Sequence, residues 1–242
     1  MRRFFLFHIL GRMLHMEGIL YIVPTPIGNL EDMTYRGVRI LKEADLVLCE
    51  DTSVTQRLFK EYGIETKTSV FYAQTGVKNI ERIMEQLKDG AKIALVSDAG
   101  TPTISDPGVL LVDRVRRELS EVKIVALPGA SALTTALSAS GISSAEFTFY
   151  GFLPHKKGRE TLFREIAENN RTSVFYESVH RIEKTLASLS STLDDKRIVA
   201  VARELTKLHE ELVRGSAGDV KEYFEKHKDR LRGEFVVIVG SK

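Results

Sequence analysis

One cysteine, Cys49, is present in 242 residues. That excludes an internal disulfide framework and any metal site built from several thiolates. No apolar run approaches the roughly 20 residues that a spanning helix needs, so no membrane-spanning role is expected. Glycine (17) and proline (6) are too sparse for a fibrous or low-complexity chain. Neither sign of charge dominates: 35 basic against 33 acidic residues leave +2. Such a balance does not announce nucleic acid, so any phosphate-binding function must come from local patches. The six histidines show no H-x-x-x-H or similar spacing, and no metal is expected. G-x-G-x-x-G and G-x-x-x-x-G-K-[ST] are both missing, which disfavours a dinucleotide fingerprint and a P-loop.

What is present is a globular profile, 43% hydrophobic and 28% charged, long enough for one large domain or two ordinary ones. The opening MRRFFLFHILGRMLHM carries Arg2 and Arg3 before an apolar stretch, Phe4 to Leu10. That stretch is short, contains His8 and lacks a small-residue cleavage site, so residues 1–18 read as a tail outside the domains, in a cytoplasmic protein, with Met16 as the natural start.

From residue 19 strand and helix signals alternate. LYIVP (20–24), DLVLCE (45–50), TSVFYA (68–73), KIALVSD (92–98) and KIVALPG (123–129) read as strands. NIERIMEQLKDG sets Ile80, Ile83, Met84 and Leu87 on one helical face, and DPGVLLVDRVRRELS does the same with Val109, Val112, Val115 and Leu119. Strands separated by such helices imply crossovers and a mostly parallel sheet, an α/β domain over 19–128. A second α/β domain with a mixed sheet is expected over 129–242. It opens with the small-residue helix of GASALTTALSASG and carries strands EFTFYGF, TSVFYES, RIVAVARE and EFVVIVG, with helices at 159–169, 179–190 and 218–228. No linker separates the two, so a cleft between them is expected.

Ligands of parallel sheets bind outside the carboxyl ends of the strands. Four such ends stand out: VPTPIGNL, CEDT, SDAGTPTISDPG and LPGASA. In SDAGT, Asp98 follows an apolar strand, and Ala99 and Gly100 allow close backbone approach by a ligand. Asp106 reads as a helix N-cap with Pro107 at the first helical position. Cys49 reads as a core thiol. In the second domain, GFLPHKKGRE concentrates Lys156, Lys157 and Arg159, either a solvated face or a phosphate contact. FYESVHR places Glu177, His180 and Arg181 after a strand, and VARELTKLHEE places Arg203, Glu204 and Lys207 after another. His180 alone fits a structural hydrogen bond or a catalyst.

VPTPIGNL, SDAGTPTISDPG, LPGASAL, GFLPHKKGR, FYESVHR, ARELTK and GEFVVIV stand in one order over about residues 19–240. In that order the chain resembles the tetrapyrrole-methylase-fold (class III) S-adenosylmethionine methyltransferases, and within them the bacterial branch that acts on ribosomal RNA. The resemblance implies two α/β domains, a folded S-adenosylmethionine in the cleft and a homodimer. It assigns cofactor contacts to Ile27, to Asp98, Ala99, Gly100 and Thr101, and to Ser131 and Ala132, with walls from Tyr176 and Leu205. Small-subunit ribosomal RNA, free or in the 30S particle, is the implied partner, and methylation of a cytidine ribose 2′-hydroxyl the implied reaction. Lys156, Lys157, Arg159, Arg181, Arg203 and Lys207 are then the RNA-binding candidates. The chain departs from the family pattern at Val179 and in YAQTGVKNIE, which lacks a customary His and Asn-Glu pair.

A 2′-hydroxyl needs a group that draws off its proton. Glu50, Asp51, Glu177 and Glu204 stand at strand ends; Glu177 is the favoured catalytic residue, with His180 next. Two competing readings remain at this point: a tetrapyrrole methyltransferase, whose polycarboxylate substrate would also suit the lysines, and a noncatalytic RNA-binding assembly factor.

Overall fold

The β-branched run at Ile19–Ile22 forms β1, the fourth strand across a five-stranded sheet in the computed structural model, which describes residues 17–72, 77–106 and 108–242. Contacts divide the chain into two compact units. The first comprises residues up to Pro26 with Leu30–Ala130; the second comprises Ile27–Asn29 with Ser131–Lys242. The tail over residues 1–16, the proposed start at Met16, Pro107 and residues 73–76 of the YAQTGVKNIE loop lie outside the described residues.

In the first unit β2 (Leu46–Cys49), β3 (Thr68–Val70), β4 (Lys92–Leu95) and β5 (Lys123–Ala126) join β1 in the order β3-β2-β4-β1-β5. Every pairing is parallel. Side chains alternate across the sheet, and the two faces bury different helices. Ile93 and Leu95 of β4 pack with Ile83 and Leu87 of α3 (Val77–Lys88) and with Leu111 and Val115 of α4 (Val109–Glu118). Ala94 and Val96 pack with Ile40 and Leu41 of α1 (Tyr35–Glu43) and Phe59 of α2 (Thr52–Tyr62). Cys49 is fully buried in that second cluster, where loss of hydration pushes its thiol pKa up.

Helices α1 and α2 were not singled out by periodicity, but their caps are conventional. Thr34 Oγ1 accepts from Gly37 N–H, and Asp51 Oδ1 accepts from Ser53 N–H. The start of α4 differs from expectation. Thr103 (φ 74), Ser105 (φ 66) and Gly108 (φ 119) hold the preceding loop in left-handed backbone, so the helix begins at Val109 with Gly108 as N-cap. Asp106 therefore does not cap it. A Cβ on Gly108 would lie 2.6 Å from Leu95 Cδ2, so glycine is required there by both space and φ.

The second unit has a mixed sheet, β6 (Phe147–Phe152), β7 (Thr172–Ser178), β10 (Glu234–Val239), β8 (Ile198–Arg203) and β9 (Glu211–Ser216), in that order. Only β6 and β7 run parallel; the other pairs are antiparallel. One face buries Phe163 and Ile166 of α6 (Arg159–Glu168), Ile182, Leu186 and Leu189 of α7 (Ile182–Thr192), and Val220 and Phe224 of α8 (Ala217–Lys226). The small-residue helix α5 (Ala132–Ser140) packs near β8, β9 and β10, with Ala136 fully buried. Edge strand β9 escaped the sequence reading because ELVRGS is half-exposed and has no clean alternation.

Candidate functional site

In the first unit the strand-end loops are fastened through backbone. Thr25 and Gly100 form an isolated antiparallel bridge: each N–H donates to the other's carbonyl at 2.9 Å. Thr25 Oγ1 also donates to Ser97 O at 2.9 Å, and Thr101 Oγ1 donates to Ala130 O at 2.9 Å. Gly100 supplies the left-handed φ of 84 that this turn demands. The two loops thus hold Asp98 and Ala99 at the surface beyond β4. Asp98 Oδ1 accepts from Asp51 N–H at 3.1 Å.

Three more carboxylates stand around that turn. Burial, with Asp106 and Asp98 nearby, pushes the Glu50 pKa up. Burial pushes Asp106 up to about 6, opposed by a hydrogen bond with Ser97 and aided by the charge of Asp98. Asp51 is instead held below its usual range by the Ser53 hydrogen bonds.

In the second unit, Ile27–Asn29 settle against the turn after β8. Asn29 N–H donates to Thr206 Oγ1 at 3.0 Å. A Cβ on Gly28 would meet Lys207 Cγ at 2.5 Å and Leu205 O at 2.9 Å, so only glycine permits this approach. The turn is tight, with Glu204 (φ 49) and Thr206 (φ 63) both left-handed. Ile27 and Leu205 are each 8% exposed. Tyr176 sits edge-on to Phe149 and Phe152, at ring distances of 5.0 and 5.3 Å. Ser131 is the N-cap of α5, yet its side chain makes no capping bond. Ala132 is the first residue of that helix.

Glu177 is placed otherwise than a base requires. It is 1% exposed. Its Oε2 takes Arg159 at 2.8 Å and the Thr185 hydroxyl at 2.7 Å; its Oε1 takes Arg181 at 2.8 Å and Ser178 N–H at 2.9 Å. Both oxygens are saturated by fixed donors, so the carboxylate is a buried counter-ion. A proton acceptor must reach substrate, and in the same motif His180 is exposed.

The cationic candidates divide likewise. Lys156 and Lys157 are exposed, and neither ammonium makes an ion pair among the described residues. Arg159 and Arg181 are spent on Glu177, with only 11% and 16% of their side chains exposed. Arg203 is 3% exposed and turned to His209 O and Glu211, too deep to meet a phosphate. Lys207 bonds Glu204 at 3.0 Å and Glu234 at 3.4 Å; burial works against its charge, but these carboxylates prevail and raise its pKa. Sequence reasoning saw the charges but not their pairing. Among the described residues no cluster suited to a metal occurs, and no helix is long and apolar enough to cross a membrane.

The family model of the tetrapyrrole (corrin/porphyrin) methylases matches residues 19–221. The chain belongs to that family. It is a methyltransferase. It is 43% identical over 229 residues to ribosomal RNA small subunit methyltransferase I of Pasteurella multocida, covering 94% of this chain and 81% of that one. The protein of the same name from Thermotoga maritima is 44% identical over 225 residues, 93% of this chain and 99% of that one. Among solved structures, uroporphyrin-III C-methyl transferase from Thermus thermophilus, complexed with S-adenyl homocysteine, superposes with a TM-score of 0.62 over 92% of this chain and 97% of that one. At 20% identity it supports the fold alone.

Proposed function

We propose that this methyltransferase uses S-adenosylmethionine to methylate the 2′-hydroxyl of a cytidine ribose in small-subunit ribosomal RNA. The observation that carries the substrate is the identity above 40% to proteins named for that RNA, over nearly the whole chain. The tetrapyrrole reading is left with the broad family and likeness of fold, neither of which fixes a substrate.

The residues suit the cofactor. Asp98 is an exposed carboxylate fastened through one oxygen, leaving the other for a ribose hydroxyl or an ammonium. Ala99 and Gly100 let a ligand lie against backbone. In the first unit Thr101 offers a hydroxyl oxygen; in the second, Ser131, with no cap to serve, offers another, and Ala132 and Tyr176 expose part of their apolar surface, whereas Ile27 and Leu205 are almost fully buried. S-adenosylmethionine, when bound, supplies a methyl group on a positively charged sulfur. The protein's part is orientation, exclusion of water and removal of one proton.

His180 is our proton acceptor for the 2′-hydroxyl, in place of Glu177. Lys156 and Lys157 contact the RNA backbone, and the 2′-hydroxyl distinguishes RNA from DNA. The protein works as a homodimer in the cytoplasm. The test is transfer of radiolabelled methyl groups to unmodified small ribosomal subunits, with the product mapped by nuclease digestion and mass spectrometry. A ribose-methylated cytidine is expected. Tight cofactor binding without transfer to RNA would overturn the substrate, and salt-dependent RNA binding without cofactor would favour an assembly factor.

A further inference from the structure

The loop between β6 and α6 has one buried end and an exposed tip. Leu153 is 2% exposed, whereas Pro154, His155, Lys156, Lys157 and Gly158 all face solvent. Five exposed residues would ordinarily wander, yet two guanidiniums seize the loop's main chain. Arg181 donates to Leu153 O at 2.7 Å, and Arg159 donates to Pro154 O at 3.1 Å. Those arginines come from different places, one closing β7's end and one opening α6. What brings them together is the single carboxylate of Glu177, bonded to both at 2.8 Å. Thr185 locks the arrangement, donating to Glu177 Oε2 and accepting from Arg159 at 2.6 Å. Two cations share one anion, so the cluster keeps one excess positive charge behind the two lysines.

We propose that Glu177 is a positioning residue for RNA capture: by holding Arg159 and Arg181 on the carbonyls of Leu153 and Pro154, it fixes the loop that presents Lys156 and Lys157 to a phosphate backbone. This rests on the RNA reading above. Phosphate contacts set the register of a protein on its nucleic acid, and a fixed pair of ammonium groups does so with less entropy lost than a mobile pair.

The sign of one substitution separates positioning from plain electrostatics. Glu177→Gln removes a negative charge behind the lysines, which by Coulomb attraction alone would tighten RNA binding. If the carboxylate positions the loop, binding weakens, by about tenfold for a coupling of ordinary size. The measurement is retention of unmodified small ribosomal subunits by the full-length chain across a potassium chloride series. The variants are Glu177→Gln, Thr185→Val, Lys156→Ala with Lys157→Ala, and the combination of Glu177→Gln with the lysine pair.

The lysine pair should lose affinity and flatten the log–log salt dependence by about 1.4 to 1.8. In that background Glu177→Gln should cost little more, because its effect runs through the absent ammonium groups. Tighter or unchanged binding by Glu177→Gln overturns the proposal. So does an equal loss with and without the lysines, which would mark a general effect on the fold. Should Glu177→Gln fail to fold, Thr185→Val, which changes no charge, takes its place in the same cycle with the same expectations. An unchanged salt series for the lysine pair itself would instead remove this loop from the RNA reading, a separate failure.

Discussion

The two units solve the same problem, holding a loop at the end of a strand, by different chemistry. In the first, backbone fastens backbone: Thr25 and Gly100 exchange hydrogen bonds, and hydroxyls of Thr25 and Thr101 add two more to carbonyls. Among the described residues, the carboxylates Glu50, Asp98 and Asp106 have no cationic partner in an ion pair. In the second, charge fastens backbone: Glu177 with Arg159 and Arg181, Glu211 with Arg203, and Glu204 and Glu234 with Lys207. Backbone fastening leaves side chains open to a ligand. Charge fastening uses them up, so a residue rich in chemical potential on paper becomes part of the frame.

The largest effect follows from breaking that charge frame. Glu177→Ala would leave two nearly buried guanidiniums without their anion, and removal of one partner from a buried pair typically costs about 3–5 kcal/mol. Urea unfolding should show a lower midpoint with unchanged slope, the shift times the slope giving that loss. A loss below about 1 kcal/mol would mean that solvent already compensates the arginines. Catalysis should respond next. His180→Ala should lower the methyl-transfer rate about 100-fold with little change in cofactor affinity, the lower end of what a general base contributes. A rate within twofold of the parent would return the search to Glu50, Asp51 and Glu204.

A smaller effect belongs to the first unit. Asp98→Ala removes an exposed side chain, and the Thr25–Gly100 bridge does not depend on it. Cofactor affinity by calorimetry should fall about tenfold, one charge-assisted hydrogen bond's worth, with stability nearly unchanged. Equal losses of stability and affinity would show that Asp98 belongs to the frame, like Glu177.

This division also explains what was legible in the sequence. Glycine, proline and apolar runs speak directly about backbone, so the parallel sheet, the mixed sheet and the turn of SDAGT could be read from residue types. Charged residues speak only when paired, and pairing is a tertiary fact. FYESVHR and GFLPHKKGR stand some twenty residues apart, and nothing in either spelling says that Arg159 will meet Glu177. Arg203 looked like a surface cation because it follows a strand end, yet it is buried against Glu211 of a strand that lacked a periodic signature. Asp106 failed as a cap for a local reason, the left-handed residues Thr103, Ser105 and Gly108, which composition does not reveal for the first two.

Asp106 sharpens the comparison most finely, because it is a half-buried carboxylate of the first unit that no cation pairs with among the described residues. Its folded-state pKa of about 6 lies above the unfolded value of 3.8. Well below pH 3.8 the group is protonated in both states, and its ionisation costs the fold nothing. Between about 4 and 6 the unfolded chain releases the proton while the folded chain keeps it, so stability falls as pH rises, and the loss is complete above about 6. Asp106→Asn should therefore match the parent at about pH 3 and exceed it by about 1 kcal/mol at pH 7, allowing for partial exposure. Thermal midpoints of the two proteins across that range should diverge with rising pH and then run parallel. Divergence in the opposite sense would mean that the ionised carboxylate is stabilised by a donor that the folded loop supplies, and the first unit would then fasten its loops by charge after all.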